Sequence, residues 1–187
     1  MGDGWVTVND QNGRILVYTG NGKGKTTAAI GLAVRAIGRD MKVSMLQFIK
    51  SPDRTYGEKN VLEKLNGAEI HQLGVGFTWT KTPDEHRQAL KSAWNLAKEK
   101  IMCGKYNLVI LDEINNALAI HTFPINDVLP IEEVIHTIKN RPPHVHVVLT
   151  GRDAKDEIKE IADLVSVINV EKHYYDEGVE AIYGIEY

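Results

Sequence analysis

The run "RILVYTGNGKGKTTAAIGLAVRAIG", Arg14 to Gly38, constrains this chain more than any other part of it. An apolar stretch leads into a glycine-rich turn, and an apolar segment of helical character follows. Strand, loop and helix in that order define a phosphate-binding loop. The glycines are out of step with the usual spacing, however. The common pattern has a glycine five positions before the final Gly24, and here that position is Thr19, so the cradle is shortened by one residue.

Such a loop works because consecutive backbone N–H groups converge on phosphate oxygens while the positive end of the helix dipole favours the anion. Gly20, Gly22 and Gly24 supply the backbone freedom, with Asn21 between them and Lys23 as a second cation inside the loop. Lys25 is placed to bond the phosphates. The Thr26 hydroxyl is placed to ligate magnesium, with Thr27 as a further donor. Strand "YNLVILDE" ends in Asp112 and Glu113, where such folds carry the acids that hold the metal or its water shell.

The remaining pattern alternates strands with helices. The helix after the loop is expected over Thr26 to Arg39, apolar almost all round and therefore covered on several sides. "KVSMLQF", "AEIHQL", "VHVVLTG" and "LVSVINV" read as further strands, and Glu58 to Leu65, Pro130 to Asn140 and Asp153 to Ala162 as helices. Thr82-Pro83-Asp84-Glu85 combines a capping box with proline at the first helical position, so a long helix starts there and runs to Gly104. The expected fold class is α/β, a RecA-like phosphate-loop fold with a mostly parallel sheet and helices on both faces. Residues 1–187 read as one nucleotide-binding domain, with 1–13 a short extension before the first strand.

Charge and cysteine usage narrow the partners. A net charge of -3 gives no blanket attraction for nucleic acid or anionic membrane, so neither is expected as a partner. Cys103 is the sole cysteine, which excludes an internal disulfide and a zinc site of several thiolates; a cytoplasmic location fits. No apolar run is long enough to cross a bilayer. The loop alone leaves the reaction open, because phosphoryl transfer, ATP-driven movement and simple nucleotide binding all use this scaffold.

Taken together, "TGNGKGKTTAAIGLAVRAIG", "QFIK", Gly57-Glu58, "GVGFTW", "LDEINNAL", "TGRDA", "ADLV", "KH" and the closing "GIEY" resemble the ATP:corrinoid adenosyltransferases of the CobA, CobO and BtuR type. The likeness runs from about Arg14 to Tyr187. It implies a homodimer that moves the 5'-deoxyadenosyl group of ATP onto the cobalt of a reduced corrinoid and releases triphosphate, with a reductase or other electron donor as a further partner. It also implies that all three phosphates lie in the shortened cradle. Competing readings are a RecA-like ATPase or kinase acting at the γ-phosphate, and a non-catalytic nucleotide or corrinoid sensor.

Phe77 and Trp79 lie two apart in a glycine-flanked loop, where an extended backbone turns both rings to one side and offers a rest for a flat ligand. The resemblance implies that these rings crowd the lower face of the corrin and ease reduction of cobalt(II) by displacing its axial ligand. Lys25, Phe77 and Trp79 are accordingly the residues expected to carry catalysis, with Arg152 in "TGR" as a planar phosphate donor. Lys50 and Glu58 are candidates for the border of the nucleotide or corrin, and His173 in "KH" is a weaker one. Ser51 and Val167 depart from residues frequent in the family, and the segment before the first strand is shorter than the amino-terminal lid of some relatives.

Overall fold

The computed structural model describes residues 12–76 and 81–187. Six strands form one sheet: β1 (Ile15–Thr19), β2 (Val43–Gln47), β3 (Ala68–Gln72), β4 (Leu108–Asp112), β5 (His146–Thr150) and β6 (Leu164–Val167). Their order is β3-β2-β4-β5-β1-β6 and every neighbouring pair is parallel. The helices are α1 (Lys25–Ile37), α2 (Gly57–Leu62), α3 (Pro83–Met102), α4 (Ile114–Leu118), α5 (Ile131–Lys139) and α6 (Asp156–Glu160), followed by a 3-10 turn over Tyr174–Glu177.

The two-residue period of a strand sorts the core onto two faces. Leu108 and Ile110 of β4 join Met45, Ile70 and Val148 beneath α1 and α2. Val109 and Leu111 join Val17, Leu46, Val147 and Leu149 beneath α3, α5 and α6, where Trp94, Ile138 and Ile158 close the layer. All five positions of β2 and of β4 are buried, as expected of central strands covered on both sides. The sheet is thus parallel throughout, with helices on both faces.

The start of α3 follows the sequence pattern closely. Thr82 caps the helix by accepting from the Glu85 backbone N–H, and the Glu85 carboxylate accepts from the Thr82 N–H at 2.8 Å. Gly104, with φ of 65°, takes the left-handed turn that follows α3.

Three expectations differ from the structure. First, α1 buries only Ala29, Ala33 and Ala36 fully, while Ala28, Gly31 and Val34 face outward. The sheet covers one side of this helix, and alanines at that side allow a close approach. Second, the helix expected over Asp153 to Ala162 spans only Asp156–Glu160: Asp153 takes a left-handed φ of 54° and Lys155 an extended ψ of 149°, so the helix starts late, and it ends at Ile161. Third, α4 follows β4 almost directly, a short helix that the apolar pattern of "LDEINNAL" does not distinguish from the strand's end.

Candidate active site at the phosphate loop

The carboxyl ends of β1, β2, β4 and β5 converge on a cavity of about 730 Å³. Parallel sheets place their ligand sites there because every strand's outgoing loop reaches the same edge. The loop from β1 to α1 forms one wall. Gly24, at φ 118°, turns the chain into the first turn of α1. Gly20, at φ 96°, lies so close to the backbone of Ile168 beyond β6 that a side chain has no room. The Gly22 N–H donates to the Ile168 carbonyl at 2.7 Å, pinning the loop to the segment after β6 instead of pointing into the cavity.

Asn21, Gly22, Lys23, Gly24, Lys25, Thr26, Thr27 and Arg152 all line the cavity, as does Glu113. Gly20 and Asp112 do not line it. Lys25 folds back so that its ammonium donates to the Gly22 carbonyl at 2.6 Å. Burial lowers its pKa, the charge of Arg152 adds to this, and the acids Glu113 and Asp153 oppose it. The Arg152 backbone N–H donates to Asn116 Oδ1 at 3.0 Å, which fixes the start of the β5 outgoing loop.

Asp112 is fully buried and acts as a junction. Its Oδ1 accepts from the Thr26 hydroxyl at 2.8 Å and from the Thr150 hydroxyl at 2.7 Å, and its Oδ2 accepts from Gln47 Nε2 at 3.1 Å. The same Gln47 amide nitrogen donates to Glu58 at 3.1 Å. Glu58 in turn pairs with Lys50, whose ammonium lies 4.5 Å from the centre of the Tyr56 ring. One chain of polar contacts therefore runs from the phosphate loop through β4 and β2 to the opposite cavity wall.

Glu113 sits beside this junction with φ of 61°, a left-handed conformation that re-aims the chain between β4 and α4. Burial pushes its carboxyl up to about 7, helped by the neighbouring charge of Asp112 and opposed by Lys50 and Lys25.

Sequence reasoning missed Gln47, Asn116, Thr150 and the closing residues Gly184 to Tyr187, all of which border the cavity or support it. Each lies in one of the quoted family-like segments, but no chemical pattern within those segments singles it out. Lys50, Glu58 and His173 do line the cavity. Phe77 and Trp79 lie outside the described residues. The chain that leads toward them leaves β3 beside the end of β2, with Leu73 N–H bonded to the Gln47 carbonyl and Gly74 N–H to the Lys50 carbonyl. Next to it is a second cavity of about 400 Å³, bordered by Ser51, Asp53, Gly74, Val75, Lys81 and Glu85.

Residues 11–187 match the family described as ATP:corrinoid adenosyltransferase BtuR/CobO/CobP. The chain belongs to this family. Among ATP:corrinoid adenosyltransferases it is 41% identical to the corrinoid adenosyltransferase of Escherichia coli K12, covering 95% of this chain and 87% of the relative. It is 41% identical to the corrinoid adenosyltransferase of a Sinorhizobium species, over 97% and 84%. It is 40% identical to the corrinoid adenosyltransferase CobA of Salmonella typhimurium LT2, over 95% and 87%. Among solved structures, the KaiC-like protein PH0186 of Pyrococcus horikoshii OT3 superposes with a TM-score of 0.50 at 19% identity, covering 87% of this chain and 73% of that one. This likeness places the adenosyltransferase chain in the RecA-like phosphate-loop fold.

Proposed function

We propose that this protein transfers the 5'-deoxyadenosyl group of ATP to the cobalt of a reduced corrinoid and releases triphosphate. The observation that carries this reading is the cavity at the carboxyl edge of the sheet, where Lys23, Lys25, Lys50 and Arg152 face one space in a chain of this family. In the transfer, the cobalt(I) electron pair forms the cobalt–carbon bond at C5', and the C5'–oxygen bond breaks with its electrons remaining on the triphosphate. Cobalt passes formally from +1 to +3. Charge grows on the departing oxygen, and cations spread along the polyphosphate stabilise it. Cobalt(I) is itself the nucleophile, so no activated serine, cysteine or water is required.

The donor set suits magnesium. The Thr26 hydroxyl, backed by Asp112, and the carboxylate of Glu113 would offer it hard oxygen ligands beside those of the phosphates. Magnesium bound there would neutralise charge on the leaving group. Within this reading Lys25 bonds the phosphates, Arg152 bonds one end of the chain, and Asp112 orients Thr26. Gly20 shapes the loop without touching ligand.

Phe77 and Trp79 are proposed to meet the corrin ring from the loop that begins beside Lys50, and the second cavity offers room for the ring's polar periphery. A homodimer, an external electron donor and a cytoplasmic location belong to the same reading. Exposed Leu164, Val165 and Val167 on the edge strand β6 favour an assembly that covers them. Among the described residues no helix is long and apolar enough to cross a membrane.

The test is incubation with MgATP and a chemically reduced corrinoid, following the light-sensitive cobalt–carbon product by absorbance and identifying the phosphate released. Triphosphate in equal amount to the alkylated corrinoid is expected. Orthophosphate formed without corrinoid would replace this reading with hydrolysis at the γ-phosphate, and tight binding of both ligands with no product would replace it with a sensor.

A further inference from the structure

The closing segment of the chain lies against the phosphate loop, and it is held there by polar contacts. Lys23 Nζ donates to the Ile185 carbonyl at 2.9 Å and to Glu186 Oε2 at 3.0 Å. The other Glu186 oxygen accepts from the Tyr174 hydroxyl. Three further bonds, Gly184 N–H and Ile185 N–H to the carbonyls of Tyr187 and Ile182 at 2.9 and 3.0 Å, and Glu186 N–H to the Ile182 carbonyl at 2.8 Å, fold the segment into a compact turn.

Apolar packing contributes little. None of residues 170–187 belongs to either buried core cluster. Ile182, Tyr183, Ile185 and Tyr187 all keep a substantial part of their surface exposed, from 40% at Ile182 to 84% at Tyr183. The turn is therefore attached to the body chiefly through one cation of the phosphate loop, and Gly184 to Tyr187 form a wall of the cavity that the loop serves.

This arrangement conflicts with phosphate binding as it stands. An ammonium group has three protons to give, and two are committed to the closing segment. A carboxylate also stands beside the same cation, where it repels an arriving phosphate. A partly exposed ion pair is weak enough for a multiply charged anion to displace it.

We propose that Glu186 is a displaceable counter-ion of the phosphate loop: it holds Lys23 and yields it to a polyphosphate, so that the turn Ile182 to Tyr187 leaves the loop when the polyphosphate binds. Glu186 is thus a positioning residue acting through Lys23, and Tyr174 steadies it. When triphosphate is the product, return of Glu186 to Lys23 competes with the product and favours its release. The inference rests on the reading that phosphates occupy this loop, and inorganic tripolyphosphate is the probe that tests both.

Tripolyphosphate with magnesium is titrated calorimetrically into the full chain and its Glu186→Gln, Tyr174→Phe and Lys25→Ala variants, and amide hydrogen exchange is followed at Ile182 to Tyr187. Glu186→Gln is expected to bind about two- to fivefold more tightly than the parent, the range an exposed ion pair spans, and Tyr174→Phe to shift in the same direction. Tripolyphosphate is expected to speed exchange at these amides in the parent, while Glu186→Gln exchanges fast without ligand. A merely structural Glu186 would weaken binding when replaced. Equal or weaker binding by Glu186→Gln, or exchange that tripolyphosphate leaves unchanged or slows, overturns the inference while the phosphate reading stands. Absence of binding, or binding untouched by Lys25→Ala, overturns both.

Discussion

Replacing Glu113 by glutamine isolates the electrostatic cost of the carboxylate next to Asp112. The folded protein holds the Glu113 carboxyl at about 7 against an ordinary value of 4.5, because burial and the Asp112 charge disfavour ionisation more than Lys50 and Lys25 favour it. A raised acid pKa means that the folded state keeps its proton longer than the unfolded state, so stability falls as pH rises from about 4.5 to about 7 and is level above. At 1.36 kcal/mol per unit the accumulated cost is about 3 kcal/mol. Glu113→Gln has the same shape and backbone demand but no charge. In chelator and without nucleotide, urea unfolding should show the two proteins nearly equal in stability at pH 4.5. The variant should gain steadily to about 3 kcal/mol at pH 8. Addition of magnesium and ATP should release more protons near pH 7 from the parent than from the variant, measured by calorimetry in buffers of different ionisation enthalpy. A stability difference that does not change with pH, or a variant less stable at pH 8, would refute the reasoning.

Gly20→Ala should destabilise by about 3 kcal/mol in urea unfolding: about 1–2 for the left-handed conformation and about 1 for each backbone bond lost as Ile168 is pushed away. A loss under about 1 kcal/mol would mean that the loop relaxes without cost. Burial pushes the Glu69 carboxyl up, but hydrogen bonds from Lys100, Tyr106, Ser44 and His71 outweigh this and bring it to about 2. Its contribution is therefore present above pH 4.5 and lost as pH falls toward 2, and Lys100→Ala should reduce stability at pH 7 more than at pH 2.5. Phe77→Ala or Trp79→Ala should impair reduction of cobalt(II) corrinoid more than the reaction of prereduced cobalt(I), and equal loss in both assays would contradict the aromatic role.

The fold was legible because short apolar runs and one helical period dominate the chain. The unbroken apolar run of β4 and the repeated apolar face of α3 report burial directly, and Thr82 with Glu85 announces a helix start by local hydrogen bonding alone. Gly22, Gly24 and Lys25 line the cavity at the strand-to-helix turn where the glycine-rich run placed them. What stayed hidden depends on contacts between residues far apart in the chain. Gln47 is unremarkable in its own strand, and its role arises only because β2 pairs with β4 in the register that sets it opposite Asp112. The late start of α6 rests on a left-handed Asp153 and an extended Lys155, and the outward face of α1 on a layer that covers only one of its sides. Neither is encoded in local apolar pattern.

The Asp112 junction bears on how distance is controlled in a two-substrate reaction. Three strands, β2, β4 and β5, and the first turn of α1 are fastened to a single side chain, so the floor under one substrate cannot tilt without carrying the floor under the other. Spacing between the reacting atoms is then a property of the scaffold, much as the gap in a machinist's gauge is set by its frame, and only the surface loops are left to adjust for loading and unloading.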